Sequence, residues 1–318
     1  MAAIENAKVT IVGAGSVGSA TAYATLIRGA ARDVVLYDID AARVEAEALD
    51  LAHGAMFTGS SSIVGSADIA ATAGSNVIVV TAGAAQRPGQ TRLELIDTNA
   101  RIFRSMIPQL LDASPDAIVI IVTNPCDVLT FLAVEQTGID PARLFASGCV
   151  LDTSRLRWLL AERAGVAARS VHAHIVGEHG DSEFPLWSSA AIGPVPLLEW
   201  TRNGERVFNP DDLDDIATRV RTAAYKVIEG KGSTNYAIGL SATRITEAVL
   251  RDEHAILPVS PVLHDFHGVD SIAMSVPCIV NSSGAHPVTQ TRFSERELEL
   301  FHASAATLTE TARSVSVA

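Results

Sequence analysis

The chain has 318 residues, 48% apolar and 19% charged, which suits a globular protein with core enough for two domains or one large one. Its net charge of −12 forfeits the counterion release that drives nucleic-acid binding, so DNA and RNA are not expected partners. Three scattered cysteines (Cys126, Cys149, Cys278) without a C-x-x-C pair read as reduced, buried thiols, and no run reaches the ~18 apolar residues of a membrane span, so a soluble cytoplasmic protein is expected.

In chain order, β-branched runs alternate with helical patterns through the first half. Strands are predicted at Lys8–Val12, Asp33–Tyr37, Ser61–Gly65, Asn76–Thr81, Ala117–Thr123 and Arg143–Cys149, and helices at Ser16–Arg28, Ala41–His53, Thr91–Leu111 and Cys126–Gln136. Alternation of this kind implies a parallel sheet covered by helices on both faces. The runs at 77–80 and 117–122 are apolar at every position, as strands buried on both faces should be. Six such strands match the doubly wound α/β (Rossmann-type) order. After about residue 150 the alternation stops. Helices are expected at Asp152–Ala164, Asp211–Glu229, Thr234–Arg251 and from Ser294 to about Thr311, with strands at Ser170–Val176, about Ile256–Val262 and Ile272–Val280. The expected organisation is residues 1–150 as a nucleotide-binding domain and 151–318 as a second, mixed α+β catalytic domain, with no low-complexity linker or internal repeat.

The first strand runs into Gly13-Ala-Gly15-Ser-Val-Gly18 and then a helix, with Asp38 twenty residues beyond Gly18. Glycines alone are weak signals, but strand, helix and acid together point to a dinucleotide. The glycines allow a tight turn and close approach of a pyrophosphate to a helix N-terminus, where free N–H groups and the dipole favour anions. Asp38, ending the second strand, can accept from both ribose hydroxyls and repels a 2′-phosphate, which selects NAD over NADP.

Gln86-Arg87-Pro88-Gly89-Gln90-Thr91-Arg92 follows the fourth strand and a Gly83 bend. It offers a guanidinium on each side of a Pro-Gly bend and an uncharged amide at Gln86, which suits gripping a small oxyanion or carbonyl. Further on, Gly177-Glu-His179-Gly-Asp-Ser-Glu183 follows a strand, and a histidine there is the natural acid/base near neutral pH. Asp152 could accept its ring N–H and favour the protonated form, or could serve as an ordinary helix N-cap; spacing alone does not choose. Arg155, one turn along, shares a helix face with Asp152 and suits bidentate capture of a carboxylate, or a surface ion pair.

Taken together, the Gly-rich turn, residues 86–92, Thr123-Asn124-Pro125, Leu151-Asp152-Thr-Ser-Arg155, Gly177–Glu183 and Gly232–Gly239 make the chain resemble the L-lactate dehydrogenase family, within the lactate/malate dehydrogenase group. The match runs from Lys8 to the C-terminal helix. The resemblance implies that His179 is the proton donor/acceptor and Asp152 its orienting partner. It implies that Arg155 binds the substrate carboxylate and that Arg92 polarises the carbonyl. It also gives Asn124 to nicotinamide and substrate, Thr234 to the substrate pocket and Ile238 to the nicotinamide ring, with plain helix packing as the lesser alternative for Thr234 and Ile238. By the same resemblance Val17, Gly83, Ala84, Asn99 and Ser147 line the NAD cleft. Gly83 and Gly89 are candidate hinges for closure of the 86–92 loop over the site.

Malate enzymes of the group carry Arg at the position of Gln86, so a neutral Gln favours pyruvate over oxaloacetate, whose second carboxylate would lack a countercharge. Gln90 stands where the family usually has Glu, and Cys126 where it usually has Val. Arg157 and His172 match the positions at which bacterial members bind fructose 1,6-bisphosphate across a subunit interface; an exposed Arg and a strand His are the alternative. His172 and His174 are expected on one strand face, but with no Cys or carboxylate at ligand spacing no metal site is assigned. The resemblance also implies a homotetramer and a place in glycolysis. A malate or broader 2-hydroxyacid dehydrogenase is the alternative enzyme. A non-catalytic NAD-binding or structural protein is the alternative outside catalysis, and it would have no chemical reason to keep His179, Asp152, Arg92, Arg155 and Asn124 together.

Overall fold

The structure is a computed structural model that describes residues 3–59, 61–84 and 92–316, without the side chains of Arg92, Leu93 and Ser316. Its first half is β1 (Lys8–Val12), α1 (Ser16–Arg28), β2 (Asp33–Tyr37), α2 (Ala41–His53), β3 (Ser62–Ser66), β4 (Val77–Val80), α3 (Arg92–Ala113), β5 (Ile118–Ile121), α4 (Cys126–Thr137) and β6 (Leu144–Ala146). The six strands form one parallel sheet in the order β3-β2-β1-β4-β5-β6. Val9 lies opposite Val34 on one side and Val77 on the other, so β1 is the hub from which the strand order runs both ways. At such a reversal the loops leaving the two strands diverge and open a crevice at the carboxyl edge. β4 and β5 are buried along their whole length, which explains their unbroken apolar sequence.

The second half is α5 (Val150–Ala164), β7 (Val171–His172), β8 (Ile175–Val176), β9 (Phe184–Pro185), β10 (Ala191–Ile192), β11 (Val195–Pro196), β12 (Thr201–Arg202) and β13 (Glu205–Arg206), followed by α6 (Pro210–Lys231) and α7 (Tyr236–Leu250). Then come β14 (Ala255–Val259), β15 (Val262–Leu263), β16 (Ile272–Ala273), β17 (Val276–Asn281), β18 (Gly284–Pro287) and α8 (Glu295–Ser316). Every strand pair here is antiparallel. The single strand expected over Ser170–Val176 is in fact two. His172 pairs with Ala191 in one sheet and Ile175 with Pro185 in another, so the chain changes partners between them. The strands expected at 256–262 and 272–280 break in the same way, at Ser260 and Ser275, whose main chains bridge instead to Ala146 and Gly177. α7 begins at Tyr236, leaving Thr234 in the segment before it.

One apolar core runs through both halves, joining Ile11, Val79 and Ile120 to Val249, Leu263 and Phe301; a second lies beneath α5 and α6 around Leu156, Leu160, Ile192 and Ile216. All three cysteines are free and buried. Among the described residues no helix is long and apolar enough to cross a membrane.

Candidate active site

The crevice between β1 and β4 is a cleft of about 600 Å³ whose walls include Gly13, Gly15, Asp38, Gly83 and Ala84. Gly13 has φ +105°, a conformation side chains disfavour, and it turns the chain from β1 toward α1. Gly18 is needed for contact: a Cβ there would stand 1.7 Å from the Gly13 carbonyl oxygen, so only glycine lets the helix come this close. At Gly15 an added Cβ would meet no protein atom within 4 Å, which leaves open space directly at the N-terminus of α1. No side chain caps that helix. Its first intrahelical bond runs from the Ser19 N–H to the Gly15 carbonyl, so the N–H groups before it are available to an anion. Val17 lies in the same first turn, half-buried against the core.

Asp38 sits at the cleft rim, with Oδ2 accepting from the Ala14 N–H at 2.6 Å and Oδ1 from the Asp40 N–H at 3.0 Å. Asp38 also lines the cleft. The donors, the uncapped helix and the acid fit a dinucleotide with unphosphorylated ribose. Asn99, 1% exposed, accepts from the Ala84 N–H at 2.7 Å and donates to the Asn124 carbonyl at 3.2 Å, tying the end of β4 to the segment after β5. Ser147, buried just after β6, donates its N–H to the Ile121 carbonyl at 2.8 Å.

Across the carboxyl edge lies the titratable cluster. α5 starts at Val150 with Cys149 in the capping position, so Asp152 is inside the first turn and is not the N-cap. Its carboxylate is 3% exposed. Oδ2 meets His179 Nδ1 at 2.8 Å, and Oδ1 meets Arg155 Nη1 at 2.5 Å. One buried acid therefore holds an imidazole and a guanidinium together. Burial opposes the charged imidazolium, but the charge and hydrogen bond of Asp152, aided by Asp127 and Glu183, prevail and push His179 up to about 9. Burial likewise works against the Asp152 carboxylate, and His179 and Arg155 reverse it, holding that group below its ordinary range. His179 keeps 23% side-chain exposure, and among the described residues no hydrogen bond ends on its Nε2.

Two groups that the sequence pattern did not single out complete this cluster. Asp127, in the first turn of α4, accepts from the His179 main-chain N–H at 2.7 Å; burial pushes its carboxyl up to about 6. It reads in sequence as an ordinary first-turn acid. The serines at the two strand breaks bond each other at 2.7 Å, and Ser275 Oγ also accepts from the Cys149 N–H at 3.0 Å. Glu183 is 5% exposed, and its carboxyl lies in one group with Asp152, His179 and the Cys149 thiol, all four ligand atoms within 4.8 Å of one another. The linear spacing gave no sign that a Cys and two carboxylates converge on His179. Only the fold brings them there.

Other candidates are placed differently. Thr234 is half-buried before α7, and Ile238 packs on the core from the first turn of that helix. Gln86, with Arg87, Gly89 and Gln90, lies outside the described residues, as does the Arg92 side chain; the Arg92 backbone opens α3. His172 is exposed at the end of β7, whereas His174 is half-buried with Nε2 3.1 Å from Arg157 Nη2. The strand ends between the two histidines, which alternate with buried Val171, Ala173 and Ile175, and His172 acts electrostatically on His174. Arg157 also donates Nε to the Ala173 carbonyl at 2.9 Å, so its direct partner is His174 and not His172.

Known proteins resemble the chain over almost its whole length. The family model for the NAD-binding domain of lactate/malate dehydrogenase matches residues 7–146, and that for the alpha/beta C-terminal domain matches 149–316. An L-lactate dehydrogenase of Bifidobacterium animalis subsp. lactis is 47% identical over 310 residues, 97% of each chain. An L-lactate dehydrogenase of Thermus aquaticus is 45% identical, covering 94% of this chain and 96% of its own. Among solved structures, a lactate dehydrogenase from a Medee basin deep-sea metagenome library superimposes with a TM-score of 0.94 at 34% identity, covering 98% of this chain and 99% of its own. The minor L-lactate dehydrogenase of Enterococcus mundtii, in its ligands-bound form, gives a TM-score of 0.93 at 37% identity over 98% of each chain.

Proposed function

The chain belongs to the lactate/malate dehydrogenase family and carries that family's NAD-binding domain, and on this premise we propose that it is an L-lactate dehydrogenase interconverting pyruvate and L-lactate. The observation that carries the reading is the single buried carboxylate of Asp152 joined to both His179 and Arg155. Two relatives named L-lactate dehydrogenase, at 47% and 45% identity, support it.

The Gly13–Gly18 turn, Asp38, Gly83 and Ala84 would hold NAD across the cleft. When bound in its reduced form, that cofactor supplies a hydride for the C2 carbonyl of the substrate. Arg155 receives the substrate carboxylate, because among the described residues its side chain bonds Asp152 through a single nitrogen and its planar fork suits a bidentate grip. His179 has Nδ1 committed to Asp152, so Nε2–H is the donor to the carbonyl oxygen as it becomes a hydroxyl. In the reverse direction the neutral ring accepts that proton. Asp152 stays ionised and steadies the imidazolium. Arg92 polarises the carbonyl, a role commonly worth ~3–4 kcal/mol at such a site. Asn124, Thr234 and Ile238 wall the space between substrate and nicotinamide. Gln86 leaves a second substrate carboxylate unpaired in a water-poor site, which favours pyruvate over oxaloacetate.

The same reading divides the chain into a nucleotide-binding unit, 1–150, and a catalytic unit, 151–318, with the site between them. It makes the protein a cytoplasmic homotetramer of glycolysis. It also gives Arg157 and His172 of facing subunits a phosphate of fructose 1,6-bisphosphate, for which Arg157 must exchange its contacts with Ala173 and His174.

Measuring kcat/KM with NADH for pyruvate, oxaloacetate and 2-oxoisocaproate tests the substrate. Pyruvate should rank first, and Gln86→Arg should move the preference to oxaloacetate; oxaloacetate ranking first in the unaltered protein would replace this reading with a malate dehydrogenase. Adding fructose 1,6-bisphosphate should lower the KM for pyruvate. No shift would remove the effector role from Arg157 and His172.

A further inference from the structure

Glu183 is a buried charge-bearing side chain of the cluster to which the proposed chemistry gives no direct part. It ends the His179 loop just before β9 and is 5% exposed. Its main chain is engaged, the N–H with the Gly180 carbonyl at 3.3 Å and the carbonyl with Arg221 Nη2 at 3.4 Å. Among the described residues no hydrogen bond or ion pair ends on its carboxyl. That carboxyl nevertheless lies within 4.8 Å of ligand atoms of Asp152, His179 and Cys149. A carboxylate placed there would be short of hydrogen bonds and beside another carboxylate, which is the setting in which an acid keeps its proton.

The surrounding charges can be counted from each element that faces it. α5 brings Asp152 and Arg155, with the Cys149 thiol just ahead of it held neutral by burial. The loop of Glu183 itself brings His179, and α6 brings Arg221. α4 brings Asp127, which accepts from the His179 main-chain N–H. With His179 protonated, Arg155, Arg221 and His179 are the described cations that act on the Glu183 carboxyl, and Asp152 is the carboxylate that opposes its charge. An ionised Glu183 would draw on the same cations as an incoming substrate carboxylate and oppose it with a like charge in a poorly solvated site.

We propose that Glu183 is a specificity-determining carboxyl that admits the substrate's carboxylate only while it holds its own proton, so that anion binding is linked to a proton separate from the one His179 transfers. Burial and the Asp152 charge, only partly offset by His179, Arg155 and Arg221, push Glu183 up to about 8. The two protons act on different quantities: loss of the Glu183 proton weakens substrate binding, and loss of the His179 proton removes the catalytic donor. A residue that merely filled space would leave the pH dependence of binding unchanged.

The inference rests on the reading of the site as a 2-oxo acid reductase, and two measurements separate the two. In the first, KM and kcat for pyruvate are followed from neutral to alkaline pH in the wild type and in Glu183→Gln, which keeps the shape but not the charge. The wild-type KM should climb about tenfold per pH unit above the Glu183 titration while kcat still holds. In E183Q the KM should stay flat over that range until His179 deprotonates. Superimposable KM profiles would overturn the proposal. In the second, infrared difference spectra of the NAD-bound proteins at neutral pH should show a protonated-carboxyl C=O band in the wild type that E183Q lacks. That band needs no turnover, so its absence from the wild type defeats the proposal even if pyruvate is reduced. A protein that reduces no 2-oxo acid while retaining the band instead defeats the functional reading and leaves the buried proton on Glu183.

Discussion

At His179, burial and charge pull in opposite directions, and the outcome decides whether a proton is available at neutral pH. Desolvation alone would leave a neutral ring, unable to donate; Asp152 at 2.8 Å turns that around. Because the folded-state value of about 9 lies above the ordinary 6.5, the pair's contribution to stability is complete below about 6.5 and is lost as pH rises through about 9. Asp152→Asn keeps an acceptor for Nδ1–H but removes the charge. We expect the alkaline limb of kcat/KM for pyruvate reduction to fall by about 1–3 pH units. We expect the rate at neutral pH to drop about 10²–10⁴-fold, and the alkaline loss of thermal stability to flatten. A limb that stays in place would mean that Asp152 orients the ring without tuning it. His179, Asp152 and Arg155 could be picked out in the sequence, because each stands in a motif whose spacing a helix face or a strand end explains. Asp127 and Glu183 could not, since nothing in a linear pattern distinguishes a buried acid from a solvated one.

The four elements from β1 to α2 were readable to the residue, because parallel strands buried on both faces leave unbroken apolar runs and helices between them keep a 3.6-residue period. The second half was less readable, and the length of its strands explains this. Two-residue ladders such as β8, β9 and β10 are too short to carry any period, and they exist only where a partner segment is already in position. At the β1–α1 junction the constraint is steric. Gly18→Ala would drive a methyl to 1.7 Å from the Gly13 carbonyl, so α1 must tilt away from the sheet. Overpacking of this kind costs about 1–3 kcal/mol. Denaturant unfolding should register that loss, and the KM for NADH should rise because the helix N-terminus moves with the turn. Unchanged stability together with unchanged NADH binding would mean that the helix has room this geometry denies it.

Over the whole molecule, the two halves are joined chiefly by α1 against α7. A Cβ at Gly239 would fall 2.8 Å from the Ala20 carbonyl, so small residues set the approach. Thr25 and Thr243 hydroxyls meet at 3.3 Å in the same seam. Next to it, Glu247, 2% exposed, receives Arg28 of α1 at 2.6 Å and Arg251 at 3.2 Å, both arginines reaching water. This asymmetry orders the expected costs. Arg28→Ala leaves Arg251 to serve the buried acid and should cost under about 1 kcal/mol. Glu247→Gln weakens both contacts and should cost about 1–3 kcal/mol, lowering Tm by roughly 2–4 °C per kcal/mol for domains of this size. Equal losses from the two variants would mean that Arg28 alone carries the seam.

The sequence by itself determined the parallel sheet, the Gly-rich turn between β1 and α1 and the family, because these rest on local period, turn stereochemistry and residue type, all of which act over a few neighbouring positions. The tertiary structure decided where the strands of the second half break, that Asp152 lies within its helix and not at the cap, and that Arg157 is held by His174. It also decided that Asp127 and Glu183 press on His179 from positions 52 residues before and four after it in the chain. Electrostatics depends on distance and burial in space, and neither is encoded in spacing along a chain whose path is set by packing elsewhere.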